Sequence, residues 1–284
     1  MEIKSNVTVI IPCYNDGKYI VEAVNSILNQ TLKPEKIIII DDGSNLETKM
    51  ILKTISHEMI SIVFQENQGV CKARNVGIDR ATTDYILTLD ADDYFDTTFI
   101  EKAVVVLNTN ESIGVVGCFY KVIKGNVTQK ESLKPLGGTV KNFLVKNNGL
   151  GTAMFRKNCW VEVSGYDEKM SNGYEDWEFW IAILSNNWEM HIIQEDLFNY
   201  RIKPISRDTK ALKDFDFELR QYIFLKHKPV FLEHYEFYAV ELLRVNCNFR
   251  RKNNTLENSL NYIIGKILLF PLRLIKRLSQ RLIT

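Results

Sequence analysis

The run Tyr85-Ile86-Leu87-Thr88-Leu89-Asp90-Ala91-Asp92-Asp93 places three carboxylates directly after an apolar, strand-like stretch. Carboxylates crowded into one small volume repel one another unless a cation or protons compensate. Hard oxygen donors suit Mg²⁺ or Mn²⁺, ions that commonly bridge to phosphate oxygens. An acidic turn closing a strand is the competing reading, and the surrounding elements decide between them.

Two further units of the same kind lie upstream. Val7-Thr8-Val9-Ile10-Ile11 leads into Pro12-Cys13-Tyr14-Asn15-Asp16, and Ile37-Ile38-Ile39-Ile40 leads into Asp41-Asp42-Gly43-Ser44. Continuous β-branched runs are expected of parallel strands buried on both faces. Between them, Ile20, Ala23, Val24, Ile27 and Leu28 are spaced for one face of a helix over about residues 18–30. A third strand, Ser61 to Phe64, precedes Asn67-Gln68-Gly69 and a helical stretch holding Ala73-Arg74-Asn75. Ligands of open α/β sheets bind outside the carboxyl ends of the strands, so Tyr14, Asp42 and Asp90 to Asp93 are expected around one crevice.

In order, Pro12-Cys13-Tyr14-Asn15, Asp41-Asp42-Gly43-Ser44, Asn67-Gln68-Gly69 with Ala73-Arg74-Asn75-Val76-Gly77, Leu89-Asp90-Ala91-Asp92-Asp93 and Tyr174-Glu175-Asp176-Trp177 resemble glycosyltransferase family 2 over roughly residues 5–205. The resemblance implies an α/β GT-A fold with a mixed, mostly parallel sheet flanked by helices, and a nucleotide-sugar donor, by family habit a UDP-sugar. It implies that Pro12 and Tyr14 pack around the base, that Asp42 accepts from it, and that Arg74 approaches the nucleotide. Asp90 and Asp92 resemble the pair that contacts the ribose and the diphosphate-bound Mn²⁺ or Mg²⁺, with Asp93 close enough to share that work.

Trp177, Trp180, Ile181 and Leu184 follow helical spacing, which puts Glu175 and Asp176 in or just before a first turn. The helix dipole favours carboxylates there by about 0.3–1 kcal/mol, so helix-start chemistry is the plain alternative. By resemblance, Asp176 is the base that deprotonates the acceptor hydroxyl, with Glu175 and Trp177 on the acceptor side; the helical spacing puts Trp180 in the core. Attack opposite the leaving group inverts the anomeric centre. One departure stands out: many relatives carry Tyr-Arg-x-His-x-x-Ser, whose histidine can ligate metal, where this chain reads Tyr200-Arg201-Ile202-Lys203-Pro204-Ile205-Ser206. A protonated lysine is no metal ligand, but Lys203 is placed to meet the diphosphate directly. His57, His191, His227 and His234 lack the close spacing of a zinc site.

The chain has 284 residues, 45% of them hydrophobic, enough for a substantial core. Five cysteines form no CxxC pair and leave an odd count, the pattern of a reducing compartment. No separate charged and apolar leader precedes the first strand, and a cytoplasmic location is expected. Residues 258–284 hold Lys266, Arg273, Lys276, Arg277 and Arg281 and no acidic residue; taking those five charges from the chain total of +1 leaves −4 for residues 1–257. Interleaved Ile and Leu, with Pro271 as a kink, suit a basic amphipathic helix on the inner face of a membrane, and the apolar run is too short to span one. A helix docked on the protein itself and a homodimer contact are the competing readings.

The expected organisation is a catalytic domain over 1–206, a helical subdomain over 207–254 that closes in a polar break at Arg250 to Thr255, and the membrane-surface segment over 255–284. The expected activity is hexosyl or N-acetylhexosaminyl transfer to a glycan or polyprenyl-diphosphate-linked acceptor in bacterial surface polysaccharide assembly. A non-catalytic nucleotide-binding or scaffold subunit is the alternative from another class. Nucleic acid is not an expected partner, because basic residues gather only in the Ile- and Leu-rich tail.

Overall fold

The β-branched runs of the first ninety residues form one half of a single sheet in the computed structural model, which describes residues 5–125, 127–129, 131–203, 209, 211–262, 264 and 266. Strands β1 (Val7–Cys13), β2 (Lys36–Asp42), β3 (Ile60–Gln65) and β4 (Tyr85–Thr88) pair in parallel in the order β3-β2-β1-β4. All seven residues of β1 are buried, as a two-sided core strand requires.

Helices α1 (Gly17–Leu28), α2 (Leu46–Thr54) and α3 (Val70–Asp79) make the connections. Helix α1 buries Ile20, Ala23, Val24 and Ile27, four of the five residues that the spacing assigned to its inner face. Helix α3 lies directly on the sheet: a Cβ at Gly77 would come within 2.5 Å of the Ile10 side chain, so only glycine allows that approach.

From β4 the sheet continues as β8 (Met154–Arg156), β6 (Ile113–Lys124), β9 (Glu189–Ile202) and β5 (Tyr94–Phe95), with β7 (Val127–Thr128) off the edge of β6. Strand β8 is antiparallel to both neighbours, while the long β6 and β9 run parallel. Register shifts on either side of Phe119 bend β6 where Tyr120 reaches the site. Helices α4 (Phe99–Thr109), α5 (Lys157–Glu162) and α6 (Glu175–Leu184) complete this half. Phe179, Trp180, Ile181 and Ile183 of α6 are fully buried.

A π-helical turn (Ala211–Phe215) leads into α7 (Asp216–Lys226) and α8 (Lys228–Glu233), then α9 (Tyr235–Glu257). The chain divides into two compact units, Met1–Glu233 and His234–Thr284. The first therefore takes in α7 and α8, which the sequence grouped with the following helix. Helix α9 runs through Arg250 to Thr255, where the composition suggested a break, since arginine and lysine are good helix formers and asparagine is only mildly unfavourable. Most of the basic segment, 267–284, lies outside the described residues.

Candidate active site

Strand order places the site. The chain proceeds from β1 outward to β2 and β3, then returns to the other side of β1 for β4. The crevice at that reversal opens at the carboxyl ends of the strands, and the loops after β1, β2 and β4 meet there. Asn15, in the left-handed region at φ 60°, ties the first two together: its amide donates to Ser44 Oγ at 2.9 Å and its side-chain oxygen accepts from the Asn45 amide at 2.8 Å. Gly43 adopts φ 75°, and a Cβ there would lie 2.6 Å from the Asn67 backbone nitrogen.

A cavity of about 380 Å³ fills this crevice, walled by Pro12, Tyr14 and Asp42 on one side and Asp90, Asp92 and Lys203 on the other. Tyr14 is 52% exposed, an aromatic face turned to solvent rather than into the core. Asp42 is buried and already accepts from Gln65 Nε2 at 2.8 Å and from the Gln68 and Gly69 amides at 2.9 and 2.8 Å. Its first role is therefore to hold the loop that opens α3, and a carboxylate with about four acceptor sites retains capacity for one more donor.

The carboxylates after β4 divide by partner. Asp90 accepts from Arg74 at 2.7 Å, and Asp92 meets Lys203 at 2.9 Å. Asp93 is buried and accepts the Arg201 amide at 2.7 Å. Burial, with Asp90 adding to it against the opposition of Lys203, pushes Asp92 above the ordinary carboxylate range. Burial and the neighbouring Asp92 and Asp90 push Asp93 well above it. Lys203 also bonds Asp16; burial alone would lower it, and the Asp92 and Asp16 carboxylates outweigh that and hold it above an ordinary lysine.

Carboxylates pushed upward by burial and by one another could hold a cation in this crevice. Among the described residues no group of three metal-ligating side chains converges. Mg²⁺ is usually held by one or two carboxylates together with substrate phosphates rather than by an all-protein cage. Asp90 and Asp92 meet that requirement, whereas Asp93 is turned to the Arg201 backbone.

A second cavity of about 300 Å³ adjoins the first and shares Asp90, Asp93 and Tyr200 with it. Glu175, Asp176 and Asn147 line it. Tyr174 precedes α6 at φ 59°, a left-handed conformation that non-glycine residues seldom adopt, and it turns the chain so that α6 begins at Glu175. Glu175 is buried and bonds Arg74 at 3.0 Å. Asp176 is half-buried and accepts from Asn147 Nδ2 at 2.7 Å.

Besides Asp93, two of the expected roles change with these positions. Arg74 lines the smaller cavity, not the one that Pro12, Tyr14 and Asp42 line. Its guanidinium is 1% exposed and clamps Asp90 to Glu175, because a buried cation requires anionic partners. Trp177 lines neither cavity; its ring is buried and its indole N–H donates to the Phe143 carbonyl at 2.6 Å. Trp180 is core, as its spacing indicated. Asp16, Arg201, Asn147 and Tyr200 were not selected from the sequence. For Arg201 the signal was present in its place after Tyr200; its Nε donates to the Asp92 carbonyl at 2.9 Å.

Two cavities that share Asp90, Asp93 and Tyr200 at the carboxyl ends of a parallel sheet have the layout of a glycosyl-transferring class of α/β protein. The profile described as "Glycosyl transferase family 2" matches residues 8–161, more than half of the chain, and the chain belongs to that family. An uncharacterised glycosyltransferase of Methanocaldococcus jannaschii is 30% identical over 208 residues, covering 70% of this chain and 71% of that protein. The glycosyltransferase GlyG of Streptococcus pneumoniae is 34% identical over 117 residues, and the chondroitin synthase of Escherichia coli 29% identical over 175. The chain spans only 39% and 25% of the length of those two. The crystal structure of S. aureus TarS with UDP-GlcNAc superposes with a TM-score of 0.61 at 20% identity, over 74% of this chain and 61% of that one, the same GT-A fold.

Proposed function

We propose that the protein is an inverting glycosyltransferase that moves a hexosyl or N-acetylhexosaminyl group from a UDP-sugar to a glycan or lipid-linked acceptor in bacterial surface polysaccharide assembly. The observation that carries this reading is the junction of the two cavities at Asp90, Asp93 and Tyr200. A donor nucleotide in the first would present its anomeric carbon toward the second, where Asp176 stands. The chondroitin synthase relative and the UDP-GlcNAc-bound structural neighbour support both the polysaccharide setting and the uridine nucleotide.

In this reading Pro12 and Tyr14 frame the base, and Asp42 keeps one acceptor position toward its ring N–H. Asp176 takes the proton from the acceptor hydroxyl as it attacks, a role that contributes about 10²–10⁴-fold in rate. Lys203, already at Asp92, offers its ammonium to the diphosphate. A Mn²⁺ or Mg²⁺ at Asp90 and Asp92 would neutralise the charge gathering on the leaving diphosphate. Arg74 fixes the spacing between the Asp90 and Glu175 carboxylates and so between the donor and acceptor halves of the site.

The test is a panel of nucleotide sugars, each incubated with Mn²⁺, with Mg²⁺ and with chelator, with membranes supplying acceptors, while nucleoside diphosphate release is followed. Release from one donor, reduced at least about 10²-fold in Asp176→Asn, is the expected outcome. UDP binding without release from any donor would favour a non-catalytic nucleotide-binding subunit, for which a Lys203 ammonium on Asp92 in place of a metal would suffice.

A further inference from the structure

We propose that Asn147 is a positioning residue for Asp176, holding its carboxylate ionised and aimed into the smaller cavity through an amide whose direction the loop itself fixes. This rests on the reading of Asp176 as the base. Asn147 stands on the loop that crosses the first turn of α6. Two indoles of that same helix anchor the loop: Trp177 Nε1 donates to the Phe143 carbonyl at 2.6 Å and Trp180 Nε1 to the Leu150 carbonyl at 2.9 Å. Residues 143 and 150 thus bracket Asn147 and tie its height above α6 to the helix that carries Asp176.

The amide's orientation is fixed as well. The Gly149 backbone N–H donates to Asn147 Oδ1 at 3.1 Å, so the carbonyl end is engaged by a donor. The NH₂ end must then be the one facing Asp176, and it reaches Oδ2 at 2.7 Å. A flipped amide would set a carbonyl against a carboxylate and an NH₂ against an N–H, and lose both bonds. Space is arranged to match: a Cβ on Gly151 would sit 3.3 Å from Asp176 Oδ2, so a larger residue there would crowd the same oxygen.

A donor to the charged form of a carboxylate favours that form, and a base must be ionised to act. The other groups around Asp176 pull in both directions. Arg74 supplies positive charge, while Glu175, Asp90 and Asp93 line the same cavity as carboxylates and Tyr166 lies near with its phenol. Arg74 is already committed to Asp90 and Glu175. Asn147 donates to Asp176 without bringing a charge that an incoming acceptor would have to displace.

The test needs no acceptor. In protein labelled with ¹³C at aspartate Cγ, the Asp176 resonance is assigned by its loss in Asp176→Asn and followed against pH. Asn147→Asp keeps the shape and the Gly149 bond but replaces the donor by a like charge, and Asn147→Leu removes the donor without adding charge. The expected result is an upward shift of the Asp176 midpoint by about one pH unit or more in Asn147→Asp, the two carboxylates then titrating as a pair. A smaller upward shift is expected in Asn147→Leu. Calorimetry with UDP, unchanged in both variants, reports an intact donor side. An Asp176 midpoint that stays in place in both variants overturns the proposal. The two readings fail separately, since full turnover by Asp176→Asn would remove Asp176 as base whatever the resonance does.

Discussion

Taking a guanidinium out of water costs several kcal/mol, and that cost is recovered only where its partners are well placed. Arg74 is 1% exposed, with Asp90 at 2.7 Å, Glu175 at 3.0 Å and the Tyr166 ring at 5.3 Å. Burial opposes its charge, and Asp90, Tyr166 and Glu175 outweigh that opposition, raising its pKa well above the usual arginine value. Arg74→Ala leaves Glu175 charged and buried with no counter-ion from that side, so a loss of about 3–5 kcal/mol in urea unfolding is expected. Arg74→Met combined with Glu175→Gln removes both charges of the buried pair and should recover most of that loss. If the double variant is no better than the single one, the ion pair is not the origin of the cost. Lysine is not an equivalent substitute, because it lacks the planar guanidinium whose NH1 and NH2 reach Glu175 and Asp90 separately.

Helix α6 draws its position from elements far along the chain. Glu178, 1% exposed, meets Lys226 at 2.8 Å and His227 at 2.6 Å, and Lys226 also meets Asp167 at 2.6 Å. The end of α7 is thereby clasped to the helix that carries Asp176. Burial would raise Asp167, but hydrogen bonds from Lys226, the Lys169 amide and Tyr222 outweigh it and hold it below the usual carboxylate range. A depressed folded value contributes stability that is present above the unfolded value of about 3.9 and disappears as pH falls through the folded one. Asp167→Asn should therefore unfold at lower urea than the parent at about pH 6, with the gap closing as pH is taken down to about 3. A gap independent of pH would mean that packing, not ionisation, is what Asp167 supplies. This clasp was invisible in the sequence, since Asp167, Glu178 and Lys226 share no period and meet only through the fold. The β-branched runs of β1 and β2 and the stripe of α1 were legible because burial on both faces, or on one, writes itself into residue type. The burial of Arg74 between two carboxylates was not legible, because its partners stand 16 and 101 positions away. The Lys203 position showed that something had replaced a histidine, while Asp16, 187 residues upstream, had no signal connecting it to Lys203.

At the scale of the molecule, charge and apolar surface are distributed unevenly between the two units. Within the second, α9 has no buried residue and exposes Tyr235, Val240, Leu243, Phe249 and Leu256. Apolar residues in such numbers on one exposed helix mark a surface that meets something other than water. No helix among the described residues is long and apolar enough to cross a membrane. The sequence beyond α9 adds five basic residues and no acidic one, and we propose an anionic lipid surface as the partner, since it would satisfy both kinds of side chain. Each lysine or arginine near such a surface is worth about 1 kcal/mol, or about fivefold in partitioning. Replacing Lys266, Arg273, Lys276, Arg277 and Arg281 by glutamine in the full chain should then move the protein off phosphatidylserine-containing vesicles in sedimentation while UDP binding is retained. Rising salt should release the parent in the same way, because exposed charges are screened within about 10 Å at 0.1 M. Should the variant sediment with vesicles like the parent, and the parent show a concentration-dependent dimer that the variant lacks, the basic segment joins two copies of the chain instead. A transferase that meets the membrane through its second unit would find a lipid-linked acceptor by search in two dimensions, and its turnover on such an acceptor, unlike its hydrolysis of free donor, would fall with the same five substitutions.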